Sequence, residues 1–268
     1  MVGRAIGVAT PSGQRDRMKR VLSRATFMAG LAVAVLGGCT PAPVEKTSTR
    51  AVAGSGWTRP PVIDAARRAP AGLVFSGAAE PGARVVLRSD SGAAYAAVAN
   101  DTGRFEIRMV TPPGDTLFRT ETQVGQDAAP SPDRLLILAG GRGPIAIIRS
   151  GGPTRRLDPA PGLGAIDSDG RLRLASGRTS TSDRPVQVVA GGETMPVTPG
   201  ADGRWSLVMG PTPGADQVRV DGVPFDWPGD GASGEGLIVE RAGRGWRVGW
   251  SGPAGARQST WLPDAASS

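Results

Sequence analysis

The chain has 268 residues, with 40 Gly, 24 Pro and only 4% aromatic side chains, a composition that suits short strands and many turns better than long helices. It has no histidine, one cysteine and two lysines, Lys19 and Lys46, so Ser–His, Cys–His and His/Cys zinc sites are excluded, a Ser–Lys pair finds no lysine outside leader and linker, and carboxylate chemistry is the one catalytic option left. The formal charge of +7 does not indicate nucleic acid, because residues 1–38 contribute +5 of it and no Lys/Arg block interleaved with aromatics follows.

From Met18 the chain reads Lys19, Arg20 and Arg24, then an apolar stretch from Ala25 to Leu36, then Leu36-Gly37-Gly38-Cys39. A dozen apolar residues is the length of a signal-peptide core and too short to span a bilayer. Leu36, Gly37, Gly38 and Cys39 resemble the lipobox of bacterial lipoprotein signal peptides. That resemblance implies cleavage between Gly38 and Cys39 and acylation of Cys39. Two or three acyl chains, at about 0.8 kcal/mol per buried methylene, would hold the protein to a lipid bilayer. Thr40 in place of an aspartate implies the outer membrane, facing the periplasm. Residues 1–38 are thus expected to be a signal peptide. Residues 39–70, rich in Ala, Pro, Ser, Thr and Gly, are expected to be a flexible tether.

Sliding the chain by 100 residues aligns 72–122 with its own continuation. Eleven identities result, among them Ser76-Gly77 with Ser176-Gly177, Gly103-Arg104 with Gly203-Arg204, and Pro113-Gly114 with Pro213-Gly214. The apolar alternation keeps register too: Phe105, Ile107 and Met109 against Trp205, Leu207 and Met209. Side chains two apart share a sheet face, so each run buries one face and wets the other. With small shifts the match extends to Leu136–Leu138 against Leu237–Val239. Strands are predicted near 72–76, 84–88, 94–99, 104–110, 117–123, 134–139 and 144–149. In the second copy they are predicted near 171–176, 185–190, 194–198, 204–210, 217–221, 236–240 and 245–250. Seven strands per copy predict an all-β chain of two tandem immunoglobulin-like sandwiches, 71–153 and 163–262.

Val74-Phe75-Ser76-Gly77-Ala78-Ala79-Glu80-Pro81-Gly82-Ala83, then Asn100-Asp101-Thr102-Gly103-Arg104-Phe105 and Pro112-Pro113-Gly114, resemble the bacterial Ig-like domains of envelope proteins. The second copy keeps Asp202-Gly203-Arg204-Trp205 and Pro213-Gly214 but has Ser180-Thr181-Ser182-Asp183 for the Glu-Pro-Gly-Ala step. The carboxypeptidase-regulatory-like domain is the alternative fold. Neither family brings a fixed catalytic set.

No cofactor and no metal site is expected. Asp167-Ser168-Asp169-Gly170 resembles the start of a calcium loop but lacks the downstream glutamate, and a turn between strands is the preferred reading. Trp205, Trp246, Val248 and Trp250 are expected in the core. Trp227 and Trp261 are candidate glycan contacts if exposed, with burial the preferred expectation. No sequence feature brings two carboxylates together, so catalysis is not expected. The expected function is a non-catalytic adaptor, spacer or binding module in the cell envelope, meeting an unidentified envelope protein or glycan and no nucleic acid. The alternatives are a carbohydrate-binding module using Trp227 and Trp261, and a carboxylate-based glycan hydrolase.

Overall fold

Phe105, Ile107 and Met109 are buried and Arg104, Glu106 and Arg108 exposed, so the alternation that predicted a half-buried strand is realised in the computed structural model. That model describes residues 58–210, 216–231, 236–252 and 255–265. The first copy consists of β1 (Val62–Ala69), β2 (Gly72–Ala78), β3 (Arg84–Ser89), β4 (Ala94–Val98), β5 (Arg104–Met109), β6 (Thr116–Val124), β7 (Asp127–Ile137), β8 (Ile145–Arg149) and β9 (Arg155–Arg156). The second consists of β10 (Leu163–Ser168), β11 (Arg173–Arg178), β12 (Val186–Ala190), β13 (Glu193–Val197), β14 (Arg204–Met209), β15 (Asp216–Val220), β16 (Val223–Trp227), β17 (Ile238–Arg241), β18 (Gly245–Ser251) and β19 (Arg257–Pro263). Among the described residues the one helical element is a 3-10 turn at Ala139–Gly141.

The protein is all-β, and its first seven strands in each copy occupy the same places. Strands β1-β2-β5 face β4-β3-β6-β7, and β10-β11-β14 face β13-β12-β15-β16. This is an immunoglobulin-like sandwich, built twice. Each copy then adds strands of its own. In the first, β8 and β9 extend the second sheet beyond β7. In the second, β19, β18 and β17 extend the third sheet beyond β10.

Five strands lie outside the expected ranges. Val62–Ala69, expected to be tether, is instead the first strand, β1, paired along its length with β2. The others are β9, just past the expected end of the first sandwich at 153, and β10, β16 and β19. The late match between Leu136–Leu138 and Leu237–Val239 is not a structural equivalence. Strand β7 pairs with β6, whereas β17 pairs only with β18. On its side away from β12, β15 pairs with β16, which ends at Trp227 before Pro228.

The 100-residue period does extend backwards into β1 and β10. Both carry an irregularity in register at the same point, between Ile63 and Ala65 and between Leu163 and Ala165. The cause lies opposite, at Gly77 and Gly177. A Cβ on Gly77 would meet the carbonyl of Val62 and stand 2.6 Å from Cζ of Phe105. A Cβ on Gly177 would meet the carbonyl of Gly162 and stand 2.8 Å from Cζ2 of Trp205. Glycine therefore lets an aromatic ring and a neighbouring strand approach the backbone together. Phe105 and Trp205 are the matching rings, each 4% exposed.

Three apolar layers result. Ile63, Phe75, Phe105, Leu87, Phe118 and Ile147 belong to the first sandwich core. Leu163, Ile166, Val188, Trp205, Val218 and Trp261 belong to the second. The third layer lies between the sandwiches. Leu117, Leu136, Leu138, Ala146 and Ile148 from the second sheet pack on Ala165, Val248, Trp250 and Leu262 from the third. Four sheets thus stack face to face, and strands β7 and β8 bury side chains on both sides.

The short linker clamps this seam. The guanidinium of Arg156 pairs with Asp158 at 2.6 Å and donates to the carbonyls of Pro263 and Gly164. Asp158 in turn accepts from the amide of Ile145.

Two predictions follow from the packing. Leu136→Ala and Ile148→Ala should each cost about 2–5 kcal/mol, as buried large-to-small changes do. Because the seam joins the sandwiches, both variants and the wild type should unfold in urea in a single transition; a biphasic curve from the wild type would show that the sandwiches unfold separately. Gly177→Ala should cost about 1–3 kcal/mol by overpacking, whereas Gly82→Ala, with open space around it but a φ of +75°, should show backbone strain alone. Thermal melts of the two, side by side, check the difference.

Candidate functional site

Asp167 lies at the end of β10, on the same side of the sheet as the seam residue Ala165. It is buried, and its neighbours are neutral donors. Oδ2 accepts from the amide of Thr154 at 2.8 Å; Oδ1 accepts from the hydroxyls of Thr154 at 2.6 Å and Thr260 at 2.7 Å. Ser176 Oγ donates to the carbonyl of Thr154 at 2.8 Å, and Trp250 Nε1 reaches Thr260 Oγ1 at 3.4 Å. Burial pushes the Asp167 carboxyl up to about 6, against the opposing pull of its three hydrogen bonds. The expected turn begins two residues later, where Asp169 accepts from the amides of Arg171 and Leu172 and Gly170 has a φ of +82°. Asp167 is therefore a core group of the seam and not part of a calcium loop. Among the described residues no cluster of three or more His, Cys, Asp or Glu could hold a metal.

Beside this cluster a groove of about 1040 Å³ opens between the sandwiches. Linker residues 153–161 line it, together with residues 64–66 of β1 and 204–206 of β14. Both β1 and β14 are sheet edges, paired on one side only. Arg155, Arg156, Arg178 and Arg204 bring positive charge to it, and Asp64, Asp158 and Asp202 bring negative charge. Burial holds the Arg155 guanidinium below the ordinary arginine range; Asp133 opposes this and Arg204 adds to it.

Of the two readings of Trp227 and Trp261, the packing agrees with the preferred one, burial, and leaves the glycan-contact alternative without exposed rings. Trp227 is 3% exposed and Trp261 is 2% exposed, both within the second core. The guanidinium of Arg173 lies 4.6 Å from the Trp227 ring, and Trp261 Nε1 donates to the carbonyl of Ala242 at 3.0 Å. Neither ring has a face left for a sugar. Trp246, Val248 and Trp250 belong to the seam layer, and not to a sandwich interior. Leu36, Gly37, Gly38 and Cys39 lie outside the described residues.

No protein-family model matches the chain, and no curated protein matches it. Among solved structures the chain is similar to the central fibronectin-III array of RIM-binding protein, at 14% identity, over 75% of this chain and 76% of that one, with a TM-score of 0.25. A score that low adds nothing to the fold assignment, which rests on strand order and pairing.

Asp167 makes a testable contribution to stability. Its folded value near 6 lies above its ordinary value of 3.8. Between these values the folded chain keeps a proton that the unfolded chain has released, so this group's contribution falls as pH rises, by up to about 3 kcal/mol. Asp167→Asn keeps the shape of the protonated acid without its titration. The stability difference between wild type and variant, read from urea midpoints at pH 4.5 and 7.5, should shift in the variant's favour at the higher pH. A difference that stays constant would show that Asp167 does not titrate in this window.

Proposed function

We propose that the chain is a lipid-anchored, non-catalytic binding module of the bacterial cell envelope, related to the Ig-like domains of envelope proteins. Acylated Cys39 would hold it to the periplasmic face of the outer membrane. The observation that carries the anchoring half is the order of charged, apolar and small residues ending in Leu36-Gly37-Gly38-Cys39. The binding half rests on the doubled sandwich and the groove between its halves. Clefts between domains are favoured places for ligands.

The seam favours an adaptor over a spacer. Sandwiches joined end to end would lengthen the reach from a membrane, whereas stacking face to face adds thickness. The absence of histidine and the confinement of both lysines to the first 46 residues support a non-catalytic role. A carboxylate with a raised pKa is what an acid-based hydrolase would need. Asp167 has one, but its oxygens are engaged by Thr154 and Thr260 inside the seam.

The anchor is tested by fractionating cells that express the wild type and Cys39→Ser. The wild type should sediment with outer membranes and the variant should appear in the soluble periplasmic fraction, because the acyl chains supply most of the affinity. Retention of the unlipidated, signal-cleaved variant on membranes would refute the anchor. Hydrolysis of a cell-wall glycan by the purified chain, abolished by a carboxylate substitution, would refute the non-catalytic reading.

A further inference from the structure

We propose that the free edge of β4 pairs antiparallel with the same strand of a second copy of this chain, joining two molecules through one continuous sheet. This goes beyond the reading of the chain as an anchored binding module, and it needs neither the anchor nor the groove.

Among the described residues each of the four sheets has two edge strands. An edge strand presents unpaired backbone N–H and C=O groups, and proteins blunt such edges with charged side chains or proline. All the edges but one follow that rule. Strands β1, β5, β9, β14 and β17 each carry at least one charged side chain, and β13 and β16 each carry a charge and a proline. Strand β4, Ala94-Tyr95-Ala96-Ala97-Val98, carries neither. Its counterpart in the second copy shows the contrast. In β13, Met195 and Val197 pack on the core as Tyr95 and Ala97 do in β4, which sets Pro196 at the place of Ala96. A proline there has no N–H to offer to an incoming strand.

The geometry of β4 fits its own copy. The carbonyl of Ala93 accepts from the amide of Ser89, and the amide of Ala99 donates to the carbonyl of Ala83. By alternation the backbone groups of Tyr95 and Ala97 face β3, and those of Ala94, Ala96 and Val98 face away from the sheet. A two-fold axis at Ala96 sets Ala96 opposite itself and Ala94 opposite Val98 of the second copy, with about six backbone hydrogen bonds. The side chains match in the same register. On the outer face Ala94, Ala96 and Val98 are exposed, Val98 at 64%, and they meet only one another. On the core face each Tyr95 stands opposite Ala97 of the second copy, large against small. The Tyr95 ring already packs edge-on against Phe118 at 6.1 Å, which holds it in place for this contact. An uncharged strand of small residues offers a foreign strand little to select on, whereas its own copy matches it position by position. A pair of five-residue strands is small against the roughly 1,200 Å² of a standard complex, so the pairing is weak and reversible.

Hydrogen exchange of the full chain in detergent, dilute and concentrated, reads the edge directly. The amides of Ala94, Ala96 and Val98 should exchange at least tenfold more slowly in the concentrated sample, while those of Tyr95 and Ala97, bonded to β3, stay slow in both. Cysteine cross-linking reads the register, in a Cys39→Ser background that removes the native thiol. Ala96→Cys should form a disulfide-linked dimer at least tenfold faster than Thr194→Cys on the proline-bearing edge. Ala94→Cys should cross-link to Val98→Cys faster than to itself. Ala96→Pro, which copies the second sandwich, should abolish the concentration dependence of exchange. If that variant misfolds, Ala96→Lys, which sets like charges on the two-fold axis, should abolish it instead. Exchange that is slow at every concentration would show that another segment of the same chain covers the edge. That result, fast exchange at every concentration, or a folded Ala96→Pro that still pairs would each overturn the proposal. None of these outcomes depends on acylation of Cys39, so a failure of anchoring leaves the pairing as expected.

Discussion

The middle two sheets have no free face where they meet. Leu136, Leu138, Ala146 and Ile148 on one side and Ala165, Val248, Trp250 and Leu262 on the other exclude water between the sandwiches. Burying a side chain of that size stabilises by about 1.5–3 kcal/mol relative to leaving it wet. Much else follows. Strands β7 and β8 must be apolar on both sides. The linker must be short and must turn back on itself, which the Arg156–Asp158 pair and its bonds to Ile145, Gly164 and Pro263 arrange. The added strands β17 to β19 must widen the third sheet far enough to cover the second.

A polar group within such a layer needs compensation. Asp167 obtains it from one amide and two hydroxyls, all from chain segments that the seam brings together. Neutral donors do not fully offset the loss of water, and burial raises the carboxyl accordingly. The groove is the other by-product of the seam. The apolar layer draws on β10, β18 and β19 but not on β11 or β14, so the far half of the third sheet remains uncovered beside the linker.

Strands with clean alternation were legible in the sequence, β5 and β14 above all, and so was the doubling of the fold. The missed strands lack that signal. Val62–Ala69 has three alanines and two adjacent arginines, and only Ile63 is buried outright. Leu163–Ser168 is buried throughout, polar residues included, so no period of two could show. Pro224 and Pro263 lie in β16 and β19, and proline argues against a strand unless it lies at an edge or end, as these do. Of the site, Asp167 was visible as a residue but read as a turn, because the donors that bury it come from Thr154 and Thr260, 13 and 93 positions away. The seam did leave a trace. Leu135-Leu136-Ile137-Leu138 and Ile145-Ala146-Ile147-Ile148 are unbroken apolar runs, as strands covered on both faces require. Trp227 and Trp261 stand in segments without pattern, and their burial depends on the strands those segments became.

The extra strands of the two copies are not alike, and this asymmetry makes their docking surfaces different. One extension widens the sheet beyond β7, the other widens the sheet beyond β10, and each supplies the surface that receives the other. Identical tandem units would present the same face to every neighbour, whereas these two meet through different ones. The pair is complementary in the manner of two different subunits carried on one chain.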